Sequence, residues 1–231
     1  MTKQEVHARI DEIGIVPGIR VQSADDAKYA AETVSHAGIP IVEITTTTPG
    51  CVEVITALVK HLPKTIVGAG TVMDTELAQR CLDAGAQFIT SPALEVNVLQ
   101  YVAKKNVAVI PGALTPTEVM LAWQGGADLV KIFPCAHVGG EAYIRSLKGP
   151  FPNVPLIAAG GVNQVTVTGF ILAGACAVGI GSELIPHEAI RLHQTDRINE
   201  LARRFLHFVK AARKQAAAAH AVLRGPQVAK R

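Results

Sequence analysis

The sequence predicts an α/β protein built as a (β/α)8 or TIM barrel, with an N-terminal helix and a long C-terminal helical extension. Three observations predict it. Short β-rich runs alternate with helical patterns of similar length, which is how βα units and a parallel sheet read in sequence. A small residue followed by glycine, at Ala37-Gly38, Ala84-Gly85, Gly125-Gly126 and Ala173-Gly174, recurs at intervals of 47, 41 and 48 residues. Glycine adopts the left-handed conformation that ends a helix, so each step marks a tight helix-to-strand turn, and the interval spans two βα units. Finally, eight such units in about 215 residues fit the compact end of the barrel's size range. An open doubly wound sheet carries its glycine fingerprint early, whereas the conspicuous glycines here come late.

Taken in order, residues 2–13 read as a leading helix. Eight strands follow, at 15–20, 40–45, 65–69, 87–90, 107–110, 128–133, 155–159 and 176–180. A helical pattern then covers 187–215, with Leu201, Phe205, Phe208 and Val209 spaced for one apolar face. Beyond it, Ala216 to Ala219 and Gly225-Pro226 have little to bury, so the end is expected to fray. We therefore divide the chain into a barrel over 1–200 and a basic helical extension over 201–231.

At 231 residues and 49% hydrophobic content, with no proline-rich or serine-rich linker, the chain can bury one large core. It opens with a polar, charged stretch through Glu12 and contains no apolar run long enough to span a bilayer, so a cytoplasmic protein is expected. Cys51, Cys81, Cys135 and Cys176 are far apart and form no C-x-x-C pair, which argues against a disulfide framework or a zinc knuckle. The eight histidines form no H-E-x-x-H or comparable ligand spacing, so no metal is expected. The net charge of +3 is unevenly spread. From Leu201 onward there are eight basic residues and no acidic one, leaving −5 on residues 1–200. A mildly acidic body is no nucleic-acid-binding domain.

The stretch Asp128-Leu129-Val130-Lys131-Ile132-Phe133-Pro134 places a lysine inside a buried-strand pattern. Strand side chains alternate, so Leu129, Lys131 and Phe133 share a face, and the ammonium meets apolar groups whichever face is inside. An ammonium taken out of water finds a counter-ion or sheds its proton more readily; a neutral amine is a nucleophile whose natural electrophile is a carbonyl. Glu43, between Val42 and Ile44, is a second anomaly, and alternation groups it with Ile41 and Thr45. Both charges then point into the barrel. They form either a structural ion pair, a weak source of stability, or an amine with its proton shuttle. We favour the second, because such groups concentrate at sites.

Reactive groups in this architecture come from strand C-termini and the loops after them, and the last two such loops commonly bind phosphate. Gly160-Gly161 and the run Gly179-Ile180-Gly181-Ser182 stand there, where backbone amides can close on an oxyanion; plain turn chemistry is the other reading. Arg20 ends the first strand and can clamp a carboxylate or make a surface salt bridge. Thr71 follows Gly68-Ala69-Gly70 and can donate to the same anion or cap a helix. Thr45 to Thr48 form a polar run just above Glu43, of which one or two, Thr47 among them, line the pocket. His137 reads as a solvated loop residue and Trp123 as helix packing.

These residues also carry a resemblance. VEITTTTP with Glu43, GAGTV with Thr71, SPAL with Pro92, the pair Pro111-Gly112, VKIFP with Lys131, KGPFPNV, and the GGV and GIGS glycines occur in one order. Together they resemble the 2-keto-3-deoxy-6-phosphogluconate (KDPG) and 2-keto-4-hydroxyglutarate (KHG) aldolase family, over about residues 8–190. The resemblance implies a class I aldolase, usually a homotrimer, acting on pyruvate and a phosphorylated keto sugar acid without a cofactor. It implies Lys131 as the Schiff-base lysine, Glu43 as general acid and base, and Pro92 beside the substrate carboxylate. Two positions depart from the family pattern. Thr47 stands where many members have arginine, which makes Arg20 the candidate cation, and Ala158-Ala159 precedes Gly160-Gly161 where P-T is common. Two readings outside that mechanism stay open: an idle trimeric barrel with a basic recruiting tail, and a phosphate-binding isomerase or synthase using Lys131 as an electrostatic group.

Overall fold

The computed structural model describes residues 1–224, with side chains through 219. Gly225-Pro226, Lys230 and Arg231 lie outside the described residues, as does the side chain of Arg224. The strands are β1 (Ile15–Ile19), β2 (Ile41–Thr45), β3 (Ile66–Gly70), β4 (Phe88–Thr90), β5 (Ala108–Ile110), β6 (Gly112–Ala113), β7 (Val130–Ile132), β8 (Leu156–Ala159) and β9 (Ala177–Ile180). The helices are α1 (Lys3–Ile13), α2 (Ala24–His36), α3 (Cys51–His61), α4 (Thr75–Asp83), α5 (Val96–Lys104), α6 (Pro116–Gln124), α7 (Gly140–Lys148), α8 (Val167–Leu172), α9 (His187–Arg191) and α10 (Thr195–Arg224).

All eight expected strands form, with their ends moved by at most two residues, and they pair in parallel. The ninth segment is a split of the fifth strand. Pro111 has no N–H to give to a ladder, so β5 pairs with β4 and, past the proline, β6 pairs with β7. The Asp128 amide donates to the Val109 carbonyl at 3.0 Å and the Lys131 amide to that of Pro111 at 2.9 Å. The two ends of the sheet are thus one strand, and the barrel closes upon itself. At the repeat steps Gly38, Gly85, Gly126 and Gly174 have φ between +95 and +106. The amide after each glycine reaches back into the helix, Ile39 to Val34, Ala86 to Cys81, Ala127 to Ala122 and Ala175 to Phe170. This closes the helix ends as the spacing predicts.

Inside the barrel, Ile41, Ile66, Phe88, Leu129 and Ile157 form an apolar floor. Val6 and Ile10 of α1 cover it from below. Thr2 and Glu5 cap the start of α1, and Lys3 pairs with Asp128 at 3.3 Å, so the helix is tied to the base of β7. A Cβ on Gly68 would overlap the Phe88 ring, so this glycine makes room for the largest side chain of the floor.

Two expectations for the C-terminal region change. The helix over 187–215 is broken between Leu192 and Gln194, where His193 takes φ +49 and stacks on Tyr29 at 4.5 Å. The second helix continues to Arg224 instead of fraying after 215. It crosses residue 200 without interruption, burying Phe205 and Val209 as expected and Ala212 as well. Arg213 donates to the carbonyls of Glu12 and Cys176, at 2.7 and 2.6 Å, at the base of the barrel. Trp123, read as helix packing, is instead exposed on α6.

Candidate active site

Above the floor the interior changes character. One register step beyond Ile41, β2 points Glu43 inward; one step beyond Leu129, β7 points Lys131 inward. The Lys131 Nζ lies 3.7 Å from Glu43 Oε1 and 5.7 Å from the centre of the Phe133 ring, with both charged side chains largely removed from solvent. The separation exceeds a hydrogen bond. The two groups therefore form an ion pair with no hydrogen bond between them. Gly70 sets this spacing, since a Cβ there would overlap the Glu43 carboxyl. Cys135 follows the same strand, but burial pushes its thiol up to about 11, so it is no rival nucleophile.

Glu43 and Lys131 open into a cavity of about 500 Å³ at the strand C-termini. Arg20, Gly160, Gly161, Gly181 and Ser182 border the same cavity. Gly160 and Gly161 have φ +82 and +81, and a Cβ on Gly161 would strike Ala136, so these positions admit no side chain. Their backbone can meet a ligand at close range.

The threonine run is mostly a brace for this rim. Thr45 donates to the Ile19 carbonyl at 3.1 Å and Thr48 at 3.4 Å, fixing the strand end that carries Arg20. Thr46 donates to the Thr71 carbonyl at 2.8 Å. Thr71 has φ +61, an unfavourable conformation for a β-branched residue, and its hydroxyl accepts from the Arg20 guanidinium at 3.3 Å. Asp74, not Thr71, caps α4. Arg20 thus leans over β2 toward β3, on the flank away from the glycines of β8 and β9.

Three predicted residues, Thr71, Thr47 and Pro92, are not brought to the cavity lining. Thr71 reaches it only through its hydrogen bond with Arg20. Thr47 is exposed and borders a shallow depression at the start of α3, touching the cavity only through its 3.1 Å hydrogen bond with Thr45. Pro92 packs its carbonyl against Gly112 and braces the split strand. The reading of the sequence also missed two ionisable residues of the lining, Glu183 and His187. The signal was adjacency, since they follow Ser182 by one and five positions.

The model of the family described as KDPG and KHG aldolase matches residues 6–201. The chain belongs to that family. This aldolase is therefore a carbon–carbon lyase. It is 33% identical to the KHG/KDPG aldolase of Escherichia coli strain K12 over 190 residues, 82% of this chain and 89% of the relative. Among solved structures, it is similar to the KDPG aldolase of Legionella pneumophila with pyruvate captured at low pH as a covalent carbinolamine intermediate. That match has a TM-score of 0.79 at 30% identity, covering 85% of this chain and 95% of the other. A cube-shaped porous cage designed by fusing symmetric oligomeric domains matches with a TM-score of 0.83 at 28% identity, covering 90% of this chain and 76% of the cage chain. Among the described residues, no helix of the aldolase is long and apolar enough to cross a membrane, and no group of His, Cys, Asp or Glu is arranged to hold a metal.

Proposed function

We propose that this aldolase works through a Schiff base on Lys131 and cleaves 2-keto-3-deoxy-6-phosphogluconate, or its C4 epimer, to pyruvate and glyceraldehyde 3-phosphate. The observation that carries the reading is the 3.7 Å approach of Lys131 Nζ to Glu43 Oε1, inside one cavity that also reaches the glycines after β8 and β9. The amine attacks the C2 ketone, giving a carbinolamine and then an iminium, and Glu43 moves the protons. The iminium is an electron sink: when Glu43 takes the C4 hydroxyl proton, the C3–C4 bond breaks into it. The aldehyde leaves; the remaining enamine is protonated at C3 and hydrolysed to pyruvate and free lysine.

Arg20 and Thr71 hold the substrate carboxylate in this reading, which fits their 3.3 Å contact over β2 and the absence of an arginine at position 47. Thr47 and Pro92 act behind that subsite by bracing Thr45 and the split strand. The backbone of Gly160, Gly161, Gly181 and Ser182 receives the phosphate, whose binding energy positions the reacting carbons. We further read the chain as a cytoplasmic homotrimer needing no cofactor. Met120, Leu121 and Trp123, exposed on α6, support an interface between copies, and light scattering measures it.

Borohydride reduction with pyruvate, followed by peptide mass spectrometry, tests the mechanism. A reduced pyruvyl adduct on Lys131 is expected. A protein with no adduct there is not a Schiff-base aldolase but an idle barrel or an enzyme of another kind. Cleavage rates on the two C4 epimers and on unphosphorylated 4-hydroxy-2-oxoglutarate then fix the substrate.

A further inference from the structure

Among the described residues, five ionisable side chains line the cavity: Arg20, Glu43, Lys131, Glu183 and His187. Glu43 and Lys131 form the reacting pair, and Arg20 is held toward Thr71 on the flank of β3. Among the described residues, that leaves the glycine end with His187 and Glu183, of opposite character, as its ionisable side chains. Glu183 and His187 are both exposed, and the backbone that carries them is held by the loop between them. The Leu184 and Ile185 amides both donate to the Gly181 carbonyl at 3.0 Å, and both side chains are buried. Beyond it Ala189 and Ile190 anchor α9 in the core. Glu183 and His187 therefore flank a pinned turn beside the backbone of Gly181 and Ser182.

We infer that His187 is the side chain that recognises the charged end of the substrate, and that Glu183 opposes it, so the pair sets the preference for phosphorylated over unphosphorylated keto acids. An imidazole donates a hydrogen bond to a phosphate oxygen and adds positive charge when protonated. A carboxylate at the same rim repels a dianion. Backbone amides bind an oxyanion without telling a phosphate from another tail of similar shape, so the discrimination falls to the two side chains. The inference rests on the proposed aldolase reading for its substrate, but not for its anion site.

The test uses full-length His187→Ala, His187→Lys and Glu183→Gln. The constants KM and kcat are measured separately on the phosphorylated C6 keto acid and on 4-hydroxy-2-oxoglutarate. His187→Ala is expected to raise KM for the phosphorylated substrate by roughly tenfold, more than its effect on kcat and more than its effect on the unphosphorylated acid. His187→Lys restores most of the loss, and Glu183→Gln lowers that KM severalfold. Equal losses on both substrates, or no rescue by lysine, overturn the assignment. Calorimetry with inorganic phosphate separates the two readings: a protein that forms no pyruvate adduct still binds phosphate more weakly by about tenfold as His187→Ala if His187 is assigned correctly. Equal phosphate affinity in wild type and variant overturns it.

Discussion

The two halves of the barrel interior are built by the same strands and do opposite work. On β2, Ile41 belongs to the sealed floor and Glu43 to the open cavity; Leu129, just before β7, and Lys131 within it divide in the same way. Each pair is separated by one inward register step, roughly 6.6 Å. Below that step the interior is closed by α1 and filled by side chains such as Phe88. Above it the strands end, the fill is missing, and two charged groups face one another. Strand β3 makes the contrast sharpest. Its two inward glycines are both vacated for a neighbour, Gly68 for the Phe88 ring and Gly70 for the Glu43 carboxyl. The same residue type makes room for packing in one half and for the charged pair in the other.

That division can be broken from either side. The largest effect is expected from Lys131→Ala, which abolishes turnover and the pyruvate adduct, while circular dichroism and thermal unfolding show the fold kept. Glu43→Gln leaves some imine formation and slows proton transfer by roughly 10² to 10⁴, read from kcat against trapping rate. Gly68→Ala crowds an aromatic ring that cannot swing aside in a closed floor. It should cost roughly 3 kcal/mol in denaturant unfolding, at the upper end for overpacking. Gly70→Ala meets the end of a flexible side chain and should unfold much like the wild type, yet lose up to about 10²-fold in kcat through displacement of Glu43. If both alanine variants lose stability equally and neither loses kcat selectively, the two halves are not separable. The smallest effect belongs to Arg213→Ala, which removes two hydrogen bonds at the base of the barrel. A loss of about 1 kcal/mol in urea unfolding with kcat preserved is expected.

Much of this was legible before any coordinates. The glycine steps fixed the repeat because a left-handed helix end is a local property of the backbone. Lys131 and Glu43 stood out because a charge in a strand pattern is visible in a window of seven residues. The fifth strand was legible only in part, since Pro111 was noted as a motif and not as the point where one strand serves two neighbours. One or two of Thr45 to Thr48, Thr47 among them, were expected to line the pocket; Thr45 does and Thr47 does not, and Thr45, Thr46 and Thr48 brace Ile19 and Thr71. Side-chain hydroxyls carry no sign in sequence of whether they will face a ligand or a carbonyl.

By itself the sequence determined the order of strands and helices and, on the strands that carry them, the inward placing of Glu43 and Lys131. These follow from alternation and helix termination, which act over a few residues. The tertiary structure alone decided that Lys131 comes within 3.7 Å of Glu43, 88 positions away, that Arg20 leans toward Thr71, and that His187 joins the cavity while Thr71, Thr47 and Pro92 stand behind it. Membership of a cavity depends on how closely strands distant in the chain approach when the barrel closes, and no local pattern encodes that distance.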